Sequence, residues 1–359
     1  MSDNNDPLID FVTEVSGEEF LKVEEDFGDG YVRLKVTEAE RRQAKHDIQS
    51  VEDVVIELLR NSRDAHSKRV FIASWRDGDM RNLVVIDDGI GIPAQMHEKV
   101  FEPRVTSKLE TMGTDRWGVH GRGMALFSIK ENVTSARVTA SEEHKGTVIH
   151  VCADVNTLPE RADQSSWPIL EADDDGRPIV TRGPHNIVRR AVEFACDHPE
   201  VDVYLGTPAE IVATMCELAG KVLTPAKAAF LDDPSTVPIW QRCSTCPDAA
   251  GLAATASALG LDISERTAHR ILAKETSALA TVMETLTSTG DREDDREPDI
   301  YADRRSVRVH HSDMDDFKRE LLDAFDTLAD RYYLSPKGEP SVTIGKDEIR
   351  VRFKFEKED

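Results

Sequence analysis

"VEDVVIELLRNSRDAHSKRVFI", residues 51–72, reads as a helix running into a strand. Val51, Val54, Val55, Leu58 and Ala65 recur at helical spacing and form an apolar face. Beside that face lie Glu57, Asn61 and Asp64 at i, i+4 and i+7. At about 100° per residue the three fall within roughly a 60° arc. Solvent-facing positions would explain any one of them alone. Three short polar chains bordering a buried face read instead as the wall of a site. The stripe runs about 10 Å along the axis at about 1.5 Å per residue.

Outward from this stretch, helices and strands alternate from Arg41 to about Leu205. "RVFIASW" (69–75) and "NLVVIDD" (82–88) are strand-like runs joined by the polar turn "RDGDMR". "ARVTAS" and "GTVIHVCADV" add two more around "EEHKG". "PHNIVRRAVEFACDHP" (184–199) reads as a helix and "VDVYL" (201–205) as a short strand. Helices beside an antiparallel run of strands predict an α+β sandwich. Residues 1–40 mix acids and glycines with little pattern and are assigned to an N-terminal extension. Residues 206–286 are nearly all helical: "TPAEIVATMCELAGKVL", "TPAKAAFL", "DAAGLAATASALG" and "SERTAHRILAKETSALATVMETL", with Thr or Ser caps on the first and last. Residues 287–312 begin with "TSTGDREDDREPD", a charged linker. Residues 313–359 hold an amphipathic helix, "DMDDFKRELLDAFDTLADRYY", and two alternating runs, "SVTIG" and "EIRVRFKF", that predict a hairpin closing on "GKD".

Composition narrows the class. The 359 residues are 39% hydrophobic and 31% charged, as in a water-soluble globular protein. No apolar run is long enough to span a membrane. "MSDNNDPLIDFV" has no basic flank and apolar core, so a secretory signal is not expected and the cytoplasm is the default. The net charge of −23 speaks against a nucleic-acid-binding surface spread over the whole molecule, and "RRSVRVHH" (304–311) is one modest basic patch. Five cysteines at irregular spacings do not form a disulfide framework. Cys243 and Cys246, in "CSTC", have the spacing of half a zinc site without its other half, which favours a reduced structural pair.

Two further motifs follow the opening helix. In "VVIDDGIGIP" (84–93) the strand ends in Asp87, with Gly89 and Gly91 at spacing two. Such glycines let backbone pass close to a flat or anionic ligand, and a carboxylate there can accept from an exocyclic amine. In "TDRWGVHGRGMALFSIK" (114–130), Gly118, Gly121 and Gly123 precede an apolar helix, whose N-terminal amides could converge on phosphates. No strand precedes these glycines in a βαβ unit, and the Walker Lys-Ser/Thr pair is absent, so neither a Rossmann nor a P-loop site is expected.

The order of polar-striped helix, D-x-G-x-G strand end and glycine segment resembles the GHKL ATPases: DNA gyrase, MutL-type mismatch-repair proteins, Hsp-type chaperones and histidine kinases. The resemblance covers residues 41–205 and implies the Bergerat ATP-binding sandwich. It implies ATP and Mg²⁺ as ligands, with Glu57 as general base, Asn61 holding Mg²⁺ and Asp64 supporting the site. It implies that Asp87 reads the adenine amine above Gly89 and Gly91, and that Gly118, Gly121 and Gly123 wrap the phosphates. Thr147, in "KGTVIHV", matches the later Thr that helps fix adenine, and Lys108, in "EPRVTSK", lies where several relatives keep a phosphate-side lysine.

Within that superfamily the histidine-kinase branch fits poorly, because His46 is the sole histidine ahead of the motif helix. The segment "NIVRRAVEFACDHPEVDVYL" and the helices after it resemble the B-type subunits of topoisomerase VI, with 206–286 in the place of their helix–two-turns–helix insert. "YYLSPKGEP" echoes the start of that family's transducer, but the stretch beyond Leu286 is short for one, so the transducer is expected to be truncated or missing. Lys337 and Lys346 are not assigned the transducer lysine's role. Two functions follow. One is that of a B-type component of a type IIB topoisomerase, dimerising on ATP and working on DNA with a separate A-type cleaving protein. The other is a GHKL clamp or interaction protein in DNA repair or defence, without strand passage.

Overall fold

The computed structural model describes residues 23–107, 113–115, 118–120, 123–173, 175–223 and 233–289, and, beyond 290, 317–322, 324–325, 329, 334–336, 338, 340–344 and 349–357. Met1–Gly290 form one compact unit and Asp291–Asp359 a second.

The first unit opens with strands β1 (Val23–Gly28) and β2 (Tyr31–Leu34), then helices α1 (Glu38–Asp47) and α2 (Val51–Asp64). The central strands β3 (Arg69–Asp77) and β4 (Met80–Asp87) follow, then the short β5 (Val105–Thr106). A small hairpin, β6 (Gly113–Asp115) and β7 (Gly118–His120), leads to α3 (Ala125–Asn132). After β8 (Ser135–Glu142) and β9 (Gly146–Asp154) come the hairpin β10 (Ile169–Ala172) and β11 (Pro178–Arg182), α4 (Ile187–Asp197) and β12 (Asp202–Gly206). The unit closes with α5 (Pro208–Val222), a 3₁₀ segment (Ile239–Thr245), α6 (Ala249–Ala258), α7 (Glu265–Leu272) and α8 (Val282–Thr289).

Five strands form the main sheet in the order β12-β3-β4-β9-β8, with β12 parallel to β3 and the other pairs antiparallel. Successive side chains of a strand point to opposite faces, and here both faces are apolar. Val70, Ile72, Leu83, Val85, Ile149 and Val151 meet α2, α4 and α8 on one face. Phe71, Ala73, Val84, Ile86 and Val148 meet α5, the 3₁₀ segment, α6 and α7 on the other. The unbroken runs "VFIA" and "LVVI" have this cause: strands buried on both sides have no polar face to alternate with. The fold is mixed α+β, and residues on both sides of 205/206 belong to one compact unit.

Three stretches differ from the sequence-based expectation. Residues 23–34 are not a featureless extension: β2 pairs with β5 (Val32↔Thr106, Arg33↔Val105), and Tyr31 packs with Met96, Val100, Phe101 and Val105. Residues 264–286 are not one helix. α7 ends before Lys274, at φ 58°, and α8 starts afresh from Thr281, whose side chain accepts from Glu284 N (3.1 Å) while the Glu284 carboxylate accepts from Thr281 N (2.9 Å). In the second unit the hairpin expected from "SVTIG" and "EIRVRFKF" pairs Ser341–Ile344 with Ile349–Arg352, and an unforeseen outer pair joins Leu334–Pro336 to Phe355–Lys357. "TPAKAAFL", "GKD" and all but the first residues of the linker lie outside the described residues. Among the described residues no helix is long and apolar enough to cross a membrane.

Candidate active site

A cavity of about 560 Å³ opens between α2, the end of β4, the small β1-β2-β5 sheet and the start of α3. Glu57, Asn61, Asp64, Asp87, Gly91, Gly123 and Thr147, all singled out from the sequence, line it together.

α2 is fixed at its start by a capping box, in which Ser50 N donates to Asp53 Oδ2 at 2.9 Å. Its apolar stripe is buried against the sheet, which turns the polar stripe to the cavity. Arg60 Nη1 donates to Glu57 Oε1 at 2.5 Å, so Glu57 stands as half of an ion pair. Asp64 accepts from Arg63 Nε (3.0 Å) and Nη2 (2.8 Å). Asn61 Nδ2 is buried and has no hydrogen-bond partner. With nothing to fix it, the amide can turn either its nitrogen or its oxygen inward. An amide oxygen beside carboxylates suits Mg²⁺, a hard cation that takes one or two protein oxygens and completes its shell with phosphate and water. The residues present therefore fit such an ion.

Asp87 ends β4 as a buried residue, and that burial pushes its carboxyl up to about 6 against the pull of the Gly89 N–H. That N–H donates to Asp87 Oδ1 at 2.8 Å, and Ser62 Oγ lies 3.4 Å from Oδ2. Gly89 acts through packing: a Cβ there would meet Ala65 O at 2.6 Å. Gly91 faces the cavity with φ 78°, and a Cβ would stand 1.9 Å from Glu142 O, so no other residue fits without moving the β8–β9 turn. Thr147 sits directly opposite Asp87 in the β4–β9 register. Its Oγ1 lies 3.0 Å from Ser141 Oγ, which itself donates to Gly146 O (3.1 Å) and accepts from Ile92 N (2.7 Å). A serine has one proton to give. The Thr147 hydroxyl is thereby the donor to Ser141, and its lone pairs are left for a ligand.

Of the glycine segment, Gly118 lies in β7, while Gly121 and Lys108 lie outside the described residues. Gly123, at φ 65°, packs on β5, where a Cβ would meet Val105 O at 2.9 Å, and its carbonyl accepts from Arg104 N (2.9 Å). α3 begins at once after it. Met124, at the N-cap, makes no side-chain cap, and Gly123 to Leu126 line the cavity. The first-turn amides of α3 thus present the unsatisfied donors that bind anions.

Reading the sequence missed Tyr31, Glu40, Gln43, Asp47, Thr106 and Ser107, which close the cavity's other side. One signal was available: Thr37-x-x-Glu40 forms a capping box on α1, which marks a helix start inside the stretch assigned to the extension. It also missed Arg60, which lies within the opening stretch but off the line of Glu57, Asn61 and Asp64. Elsewhere, burial pushes the Cys243 thiol well above its usual range, with the Cys216 and Cys246 thiols adding to the effect. Among the described residues no group of three His, Cys, Asp or Glu side chains is arranged for a metal ion.

Residues 46–157 match the family described as "Histidine kinase-, DNA gyrase B-, and HSP90-like ATPase". The DNA mismatch repair protein MutL of Thermus aquaticus is 41% identical over 86 residues, which cover 24% of this chain and 16% of that protein. MutL of Aquifex pyrophilus is 34% identical over 128 residues, 34% of this chain and 29% of that one. The chain thus spans less than a third of the length of these curated relatives. A solved structure, "Crystal Structure of N terminal domain of a DNA repair protein", aligns at 24% identity and a TM-score of 0.24, over 34% of this chain and 41% of that one. The family match spans most of the residues that line the cavity, all but Tyr31, Glu40 and Gln43, and the chain carries a GHKL-type ATPase domain.

Proposed function

We propose that this chain binds and hydrolyses Mg-ATP and uses the nucleotide as a switch, as a clamp or interaction protein in DNA repair or defence. The observation that supports it most is the convergence of the three sequence motifs on one cavity, where Asn61 carries a buried amide atom without a partner. In this reading Asp87 accepts from the adenine amine and Thr147 offers a second acceptor, with Gly91 leaving room for the base. The amides at the start of α3 bind phosphate, joined by Gly118, Gly121 and Lys108 from the glycine segment and its approach. Glu57 takes the proton of the water whose oxygen attacks the terminal phosphorus as the bond to ADP breaks, and Asp64 braces the same wall. Phosphoryl transfer needs chiefly positioning and charge neutralisation. When bound, Mg²⁺ supplies part of that neutralisation, with Asn61 as its protein ligand.

Similarity to MutL proteins favours the repair reading over a B-type component of a type IIB topoisomerase, because the relatives matched through the ATPase segment are named for mismatch repair. Both readings involve a nucleotide-dependent homodimer, and they differ in their dependence on DNA and on a cleaving partner. The test is the solution mass of the full chain with Mg²⁺, with and without a nonhydrolysable ATP analogue, for the wild type and Asn61→Ala. A monomer-to-dimer shift absent from the variant is expected, together with ATP hydrolysis lost in Glu57→Gln. Failure to bind the analogue sinks the proposal. DNA-stimulated hydrolysis that requires a separate cleaving protein would move the assignment to the topoisomerase reading.

A further inference from the structure

The cavity wall is strongly acidic: Glu40, Asp47, Glu57, Asp64 and Asp87 all line it. Among the described residues that line it, Arg60 is the only basic one. A nucleoside triphosphate brings several more negative charges into this space. The α3 amides and a divalent ion offset part of that charge, yet each of those contacts is open to a diphosphate as well. Arg60 differs in kind. Its side chain is only 4% exposed, deeper than that of its partner Glu57 at 20%. A guanidinium at that depth is costly unless it is paired, and Glu57 provides the pair. Its rigid fork of donors suits phosphate oxygens. Arg60 also directly precedes Asn61 on α2, so the cation, the proposed base and the unpartnered amide share one helical turn.

We propose that Arg60 is a nucleotide-binding residue that contacts the terminal phosphate and makes the site select triphosphate over diphosphate. The proposal rests on the ATP-binding reading above.

The test is calorimetric titration of the full chain, in Mg²⁺, with a nonhydrolysable ATP analogue and with ADP. Arg60→Gln should weaken the analogue by about 10- to 100-fold, the range of a lost charge-assisted hydrogen bond, and leave ADP nearly unchanged. Arg60→Lys should fall between. Glu57→Gln, which releases the arginine from its ion pair, should bind the analogue at least as tightly as the wild type. Because Arg60→Gln removes one half of the Arg60–Glu57 ion pair, the double variant Glu57→Gln/Arg60→Gln removes both halves, and the selective loss must persist in it. Equal weakening of both nucleotides, or a wild-type preference retained without Arg60, overturns the inference while ATP binding stands. A wild type that binds neither nucleotide overturns the ATP reading and the inference with it.

Discussion

Burial raises the Asp87 carboxyl from 3.8 to about 6, although the Gly89 N–H favours its charged form. The sign of the consequence follows from which state holds the proton. Between 3.8 and about 6 the native protein binds more protons at this site than the unfolded chain, so the stability contributed by Asp87 is fully present below 3.8 and is lost as pH rises through that window. Ligand binding runs the other way, because an adenine amine donates to the ionised carboxylate. The Kd ratio of Asp87→Asn to wild type for the ATP analogue should be about 10-fold or more at pH 8, the scale of a hydrogen bond to a charged acceptor. It should shrink as pH falls below about 6, where the wild-type carboxyl also takes up a proton. Taking the ratio at each pH removes the titration of the nucleotide itself. A ratio independent of pH would remove Asp87 from adenine recognition.

Among the elements, α2 and the Asp87-Gly89-Gly91 turn were legible in the sequence because their signals are local: a helical stripe, and glycines where the chain turns. The small sheet that closes the site was not. β2 finds its partner β5 far along the chain, through Val32↔Thr106, and no periodicity in either short strand announces the pairing. The break between α7 and α8 was missed for a different reason. Helix-forming residues run through it, and what ends α7 is a left-handed Lys274. The restart at Thr281 carries a readable Thr-x-x-Glu box, and α8 then crosses to the α4 side, where Cys196 Sγ lies 3.8 Å from Met283 Sδ. Thr281→Ala should cost about 1 kcal/mol in urea unfolding, the usual value of an N-cap, and Thr281→Ser should cost much less. Equal losses in the two variants would show that the threonine methyl, and not the cap, holds the start of α8.

For the molecule as a whole, the helical stretch after β12 decides what the ATPase domain is in this chain. Phe71, Val84, Ile86 and Val148 are buried on the sheet face that α5, the 3₁₀ segment, α6 and α7 cover. Exposing each would cost about 1.5–3 kcal/mol, and the four together on the order of 10 kcal/mol, as much as the net stability of a typical domain. The layer is also tied to the site's own framework. Arg242 pairs with Glu142, Ile239 N donates to Lys145 O (2.9 Å), and Glu142 O is the atom against which Gly91 packs. A chain ending at residue 290 should therefore unfold cooperatively and bind the ATP analogue like the full chain, because it retains both helical layers. A chain ending at residue 205 should fail to fold stably, even though it contains every residue of the ATPase motifs. Thermal unfolding of the two truncations, with and without the analogue, separates the cases. If the shorter chain melts cooperatively and is stabilised by nucleotide, the back layer is an accessory, and the sheet gains its stability from the α2–α4 face alone.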